Sequence, residues 1–174
     1  MESELIEGCQ NRDRQSQSKL YSLLAPKMLV VCLRYTKSRE EAEEVLQKGF
    51  LIVFQKISLF RFEGSLEGWV RKIMVNCALQ EVRAKSPMQY QTLQTLPDIE
   101  DKEYILPEIS AKELIALIQK LPPMYRAVFN LYVFEGMKHK EIASLLNISE
   151  GTSKSNLSDA KKILQKTVMR QNKV

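Results

Sequence analysis

Apolar residues recur along this chain at helical spacing, never in a sustained strand-like alternation. The clearest case runs from Arg39 to Ile57. Ala42, Val45, Leu46, Phe50, Val53, Phe54 and Ile57 form one amphipathic stripe, and Ser38 stands where a helix N-cap is wanted. Before it, residues 3 to 24 predict one or two short helices, with Leu5, Ile6 and Cys9, then Leu20, Leu23 and Leu24, at helical intervals and Asn11 and Asp13 able to cap a restart. Pro26 is expected to begin or kink the next helix. The strongly apolar Lys27 to Tyr35 then reads as a central core helix. After a loop at 58–66, Glu67 to Lys85 predicts a helix with Leu66, Trp69, Val70, Ile73 and Cys77 facing inward. Lys72, Asn76, Leu79 and Arg83 share another face, with Arg71 adjacent.

Residues 86 to 109 break the pattern. The stretch is polar, contains three prolines and becomes acidic at its end. We read it as a tether and set the domain limits at 1–87, 88–108 (the linker) and 109–174. The second domain restarts at Ser110, an N-cap for a helix to about Leu121. Pro122 and Pro123 break it, and Pro123 to Glu135 is the next helix, with Val128, Leu131 and Tyr132 inward and Gly136 as its stop. Two more helices complete the domain. Lys138 to Leu146 buries Ile142, Leu145 and Leu146. Asn147-Ile148-Ser149 forms a turn, Ser149 caps the last helix, and Glu150 suits its dipole. In that helix Ser153, Leu157, Ala160 and Leu164 form the inward stripe, while Lys154, Ser158 and Lys161, flanked by Ser155 and Lys162, face outward. The expected fold is all-α: two small helical domains joined by a flexible linker, the C-terminal one a four-helix unit.

The small Ala143 and the apolar Ile148 in the turn make the 138–166 segment a helix-turn-helix pattern, whose second helix enters the DNA major groove by its N-terminal end. An ordinary helical hairpin fits the pattern equally well. Charge tips the balance. Of the net +5, an amount equal to the whole sits in residues 138–174, with eight lysines and arginines against three acids. That is the footprint of a phosphate-binding surface. The opposite sign appears on the Arg39–Ile57 helix, where Glu40, Glu43, Glu44 and Gln47 line one face beside Leu51 and Ile52. By itself such a face is a wet surface or a docking site for a basic partner. The aromatic loop with Phe60, Arg61 and Phe62 is either packing or a platform for unstacked bases.

Other classes recede. Three widely spaced cysteines (Cys9, Cys32 and Cys77) without a C-x-x-C pair suggest reduced, buried thiols in the cytoplasm. One histidine, His139, leaves no ligand cluster for a structural zinc. The longest apolar run, Met28 to Leu33, is too short to span a bilayer, and the polar start gives no secretory signal. Neither a Gly-rich phosphate loop nor a catalytic set of residues is present. The chain is expected to be no enzyme and to use no cofactor.

Three phrases carry a resemblance that covers most of both domains: LYSLLAPKMLVVCLRYTKSREEAEEVLQKGF, FEGSLEGWVRKIMVNCAL, and LPPMYRAVFNLYVFEGMKHKEIASLLNISEGTSKSNLSDAKKIL. In this order, around such a linker, they resemble a bacterial RNA polymerase sigma factor of the extracytoplasmic-function (ECF) type. The resemblance implies that Glu40, Glu43, Glu44, Gln47 and Leu51 dock on the basic clamp helices of the polymerase β′ subunit. It implies that Phe60, Phe62, Arg71, Lys72, Asn76 and Arg83 engage the −10 element as displaced single strand, Asn76 holding a flipped base. It places the −35 contacts at Thr152, Lys154, Ser155, Ser158, Lys161 and Lys162. It further implies contact with the polymerase β flap, a cytoplasmic protein free or held at the membrane through an anti-sigma factor, and no membrane insertion of its own. Three departures stand out. The family often has Val where Ser153 stands, which points to looser or shifted packing of this helix, and Arg where Asn156 and Asp159 stand. Asp159 would repel phosphate, accept from cytosine N4, or pair with Lys161 or Lys162. Two other readings stay open: a free-standing helix-turn-helix regulator, disfavoured by the lack of dimerisation heptads, and a helical interaction protein that never binds DNA.

Overall fold

The structure, a computed structural model, describes residues 2–85 and 110–171. The linker assigned to 88–108 lies outside the described residues. Every regular element among the described residues is helical. The chain divides into two compact units, Met1–Glu81 and Val82–Val174.

In the first unit, α1 (Glu2–Gln10) is followed by α2 (Arg14–Tyr35). The restart is capped by Asp13, which accepts from the Ser16 N–H at 2.8 Å and from the Ser16 hydroxyl at 2.6 Å. These bonds hold its carboxyl below the usual carboxylate range. Pro26 does not begin a helix, as one of the two expectations had it: α2 is one helix from Arg14 to Tyr35 with Pro26 inside it. Proline removes the bond that would reach back to the Ser22 carbonyl. Both Pro26 and Ser22 are exposed, so water can satisfy that carbonyl. Leu23, at helical spacing with Leu20 and Leu24, is 61% exposed, whereas those two are buried.

Ser38 caps α3 (Arg39–Lys56) by accepting from the Glu41 N–H. A 3-10 turn, Ile57–Leu59, leads to the loop, and α4 (Leu66–Lys85) follows, belonging to this unit as far as Glu81. Helices α1, α2 and α3 and the 3-10 turn pack on one another. Their core holds Ile6, Leu20, Met28, Cys32, Tyr35, Val45, Phe50, Val53 and Ile57. On α4, Val70, Met74 and Ala78 are buried, and Met74 lies against Gly49 of α3. Trp69 and Ile73, expected inward, are half-buried. Leu79, expected on the polar face, is 1% exposed. It stands on the margin of the buried arc, and an apolar side chain there gains from leaving water.

In the second unit, Ser110 and Glu113 form a capping box at the start of α5 (Ala111–Gln119): Ser110 Oγ accepts from the Glu113 N–H, and the Glu113 carboxylate accepts from the Ser110 N–H at 3.0 Å. Helix α6 (Pro123–Val133) has Pro123 in its first turn, where a missing N–H costs nothing. It stops before the expected Glu135, and the chain reverses at Gly136, whose φ of 66° suits glycine. Helix α7 (His139–Leu146) and helix α8 (Glu150–Gln171) complete the unit. Helix α8 is its spine, packed on α5, α6 and α7. Leu117, Ile118, Leu121, Val128, Leu131, Ile142, Leu146, Leu157, Ala160 and Leu164 fill the core. Tyr132, expected inward, is 40% exposed and stacks on His139 instead.

Candidate nucleic-acid interface

The turn between α7 and α8 is built by local chemistry. Asn147 takes the left-handed conformation (φ 55°, ψ 47°) that ends α7, and the Ile148 N–H donates to the Ala143 carbonyl at 3.0 Å. Ser149 then caps α8, its Oγ accepting from the Thr152 N–H at 2.9 Å and lying 2.8 Å from the Thr152 hydroxyl. Thr152 is exposed, with its hydroxyl tied to the cap.

Beyond the cap, α8 sorts its residues by sign and size. Ser153, Leu157, Ala160, Leu164 and Val168 are buried, as is Asn156. On the other side, Lys154 is exposed and Ser155, Ser158, Lys161 and Lys162 are half-exposed. Lys154 sits 3.1 Å from Glu150, one turn back. So exposed a pair contributes little and can be exchanged for a phosphate. Asp159 is partly occupied within the protein: Lys162 is 3.7 Å away, and the Tyr125 hydroxyl donates to it at 3.4 Å. Burial and Asp159 together push the Tyr125 phenol up. Ser153 is fully buried, with its Oγ 2.9 Å from His139 Nδ1, and the His139 ring stacks on Tyr132 at 4.7 Å and 21°.

The loop of the first unit forms a second feature, an open recess of about 360 Å³ walled by Leu59, Phe60, Arg61, Trp69 and Lys72 among others. Its two phenylalanines differ. Phe60 is 7% exposed, with its ring 5.7 Å from Trp69 and 5.0 Å from Phe62. Phe62 is 58% exposed and adopts φ 58°, uncommon for an aromatic residue. Phe60 is thus the floor, and Phe62 is the ring a base could reach. Trp69, Lys72 and Asn76 stand at i, i+3, i+7, so one stripe of α4 runs from the recess to Asn76, which is exposed like Lys72 and Arg83. Trp69, read from the sequence as core, was missed as a candidate, though this spacing was visible. Arg71 is half-buried and points about 100° away from Lys72.

The third surface is on α3. Glu40, Glu44, Gln47 and Leu51 form a continuous stripe in which Leu51 is 63% exposed. Glu43 lies beside it, bound to Arg39 at 2.8 Å. Hydrogen bonds at the helix N-terminus hold the Glu40 carboxyl below its usual range.

Two family models match along the chain, in order. Residues 20–87 match Sigma-70 region 2, and residues 111–164 match Sigma-70, region 4. The chain belongs to the sigma-70 family. The sigma factor is 24% identical over 180 residues to the RNA polymerase sigma-H factor of Pseudomonas aeruginosa, covering 96% of this chain and 93% of that protein. It is 25% identical over 174 residues to the ECF RNA polymerase sigma factor SigW of Bacillus subtilis, covering 92% and 93%. These relatives place it in the extracytoplasmic-function group. The fold is similar to that of the sigma factor RpoE of Bartonella quintana, solved with the anti-sigma factor NepR, at a TM-score of 0.53 and 18% identity over 88% of this chain and 96% of that one. Sigma factors are non-catalytic initiation factors. Among the described residues, no helix of this one is long and apolar enough to cross a membrane.

Proposed function

We propose that this sigma factor binds core RNA polymerase in the cytoplasm and directs it to promoters, each of the three surfaces taking one partner. The observation that carries the reading is the helix-turn-helix of the second unit, whose outward face of lysines and short polar groups lies within a region-4 match that comes after a region-2 match. The promoter-melting domain is 1–87 and the −35 domain 109–174. The acidic stripe of Glu40, Glu43, Glu44 and Gln47, with Leu51 at its end, suits the basic clamp helices of β′. Charge complementarity steers such an encounter, and the exposed leucine adds buried apolar area. Phe62, the recess beside it, Lys72 and Asn76 suit an extruded base and its backbone, with Arg83 and Arg71 as further cations. A pocket that takes an unstacked base selects sequence without reading a duplex.

At the −35 element, Lys154 and Ser155, in the first turn and a half of α8, reach base edges or flanking phosphates. Thr152, Ser158, Lys161 and Lys162 fix the register. Each good base contact is worth roughly 1–3 kcal/mol. The second unit also offers a surface for the β flap, and an anti-sigma factor would occlude these same faces.

The test is reconstitution. Purified chain mixed with core polymerase should co-elute on a sizing column, and Glu44→Lys and Gln47→Lys should abolish co-elution while leaving the helical circular dichroism intact. Asn76→Ala should then impair promoter opening, and Lys154→Ala should weaken promoter capture. No co-elution with active core polymerase would overturn the reading in favour of a solitary regulator.

A further inference from the structure

His139 and Ser153 join the two helices of the DNA-binding motif by a bond that neither helix needs for its own formation. Ser153 is fully buried, its Oγ is 2.9 Å from His139 Nδ1, and the imidazole is held flat against Tyr132 of α6. We propose that His139 is a positioning residue for −35 recognition and that it takes up a proton when the sigma factor binds promoter DNA.

The argument starts from the hydroxyl. A buried valine at 153 could only pack, whereas a serine oxygen both donates and accepts. With neutral imidazole, the pair shares one hydrogen in either direction. With imidazolium, Nδ1–H donates and Ser153 Oγ accepts. The bond that seats α8 on α7 therefore survives protonation, and a half-buried cation at this position keeps a partner.

The surroundings decide which state is populated. Tyr132 faces the ring from α6, and Glu150, Lys154 and Lys161 act on it from α8. In the free protein burial holds the imidazole below its ordinary range, and the charges of Lys154 and Lys161 push the same way, against Glu150. Those two lysines are also, in the proposed sigma-factor role, phosphate-facing. A duplex laid on α8 brings anions to them, which offsets their repulsion and favours the imidazolium. Ligand binding and proton binding are then linked, and promoter affinity gains up to tenfold per pH unit across the interval between the free and bound pKa values.

This inference rests on the sigma-factor reading, and the experiment separates the two. Holoenzyme assembled from core polymerase and full chain is titrated with a promoter fragment selected by that holoenzyme from random DNA, at fixed salt, from pH 8 to pH 5.5. Sequence-specific capture at pH 8 tests the function, and its failure would count against that reading alone. The proton linkage is tested by the excess over variants. Wild type should gain about threefold or more in affinity relative to His139→Gln as pH falls. Ser153→Val, which removes the bond that seats α8 on α7, should weaken capture already at pH 8 and show no gain as pH falls. Parallel pH profiles for wild type and His139→Gln would overturn the proposal. An independent check needs no variant, because His139 is the only histidine in the chain. Its single imidazole NMR signal in the free chain should titrate below 6.5, the ordinary histidine value. A midpoint at or above that value would also overturn it.

Discussion

Gly49 is one point at which α3, carrying the acidic stripe, meets α4, carrying the Trp69–Asn76 stripe. A Cβ built there would lie 2.2 Å from the Met74 sulfur and 2.8 Å from its methyl group. Gly49→Ala thus sets two effects against each other. Replacing a mid-helix glycine by alanine stabilises a helix by about 1 kcal/mol. Overpacking a filled core costs typically 1–3 kcal/mol. Met74 is flexible, but it is 0% exposed, so its thioether can move only by displacing neighbours. The overpacking wins, and the net expectation is a loss of about 1 kcal/mol. Met74→Ala alone should lose about 2–5 kcal/mol by opening a cavity. In the double variant the new methyl occupies part of that cavity and the helix gain is recovered, so it should be at least about 1 kcal/mol more stable than the sum of the singles predicts. Urea unfolding monitored by tryptophan fluorescence isolates the relevant unit, because the single tryptophan is Trp69. A Gly49→Ala variant more stable than wild type by the full helix gain, or additive singles, would refute the steric account. The same contact bears on function: the single variant should weaken promoter opening more than core binding, since it disturbs the seat of α4 while leaving the outer face of α3 intact.

Two further predictions use other features. Asp159→Arg exchanges a carboxylate held by Lys162 and Tyr125 for a cation on α8, the helix proposed to take DNA. Promoter binding by the holoenzyme should become tighter at low salt, with the log–log salt dependence steeper by about 0.9 for one added phosphate contact, and an unchanged slope would show that residue 159 does not face the backbone. The three thiols should be inert in the native protein. Cys32 is pushed up to about 12, first by burial and then by Cys77, and Cys9 and Cys77 are also raised by burial. At pH 8 only about one Cys32 molecule in 10⁴ is thiolate, so a thiol reagent should label none of the three within minutes and all of them in denaturant. One fast native thiol would contradict the burial.

The parts legible in the sequence are those decided by neighbours along the chain. Ser38, Ser110 and Ser149 announce their helices because a cap bonds only two or three residues away, and Asn147 and Gly136 mark ends because their conformations disfavour other residues. The misreadings arose where a residue answers to the third dimension. Pro26 is tolerated inside α2 on a side where both it and Ser22, whose carbonyl loses a bond, are exposed. Leu79 counts as polar-faced by helical angle alone, yet it sits where the buried arc extends. Phe60 and Phe62 look equivalent two residues apart, and only the fold makes one a floor and the other a flag. The Ser153 bond spans 14 residues, and nothing in the spacing of His139 and Ser153 distinguishes it from chance.

The net charge of +5 conceals the feature that organises function. Cationic side chains dominate the outer face of α8, and carboxylates crowd that of α3. In the proposed role a polyanion and a basic protein groove require opposite signs, and the two signs lie on separate units of this chain. At a separation beyond a Debye length, about 8 Å at physiological salt, screened charges barely interact. Surfaces so separated keep their own salt dependence. Rising salt should weaken promoter capture through Lys154 and its neighbours and core binding through Glu44 and its neighbours independently. Charge reversal at Glu44 should therefore leave the salt slope of −35 binding unchanged, whereas a single electrostatic surface would make the two slopes move together.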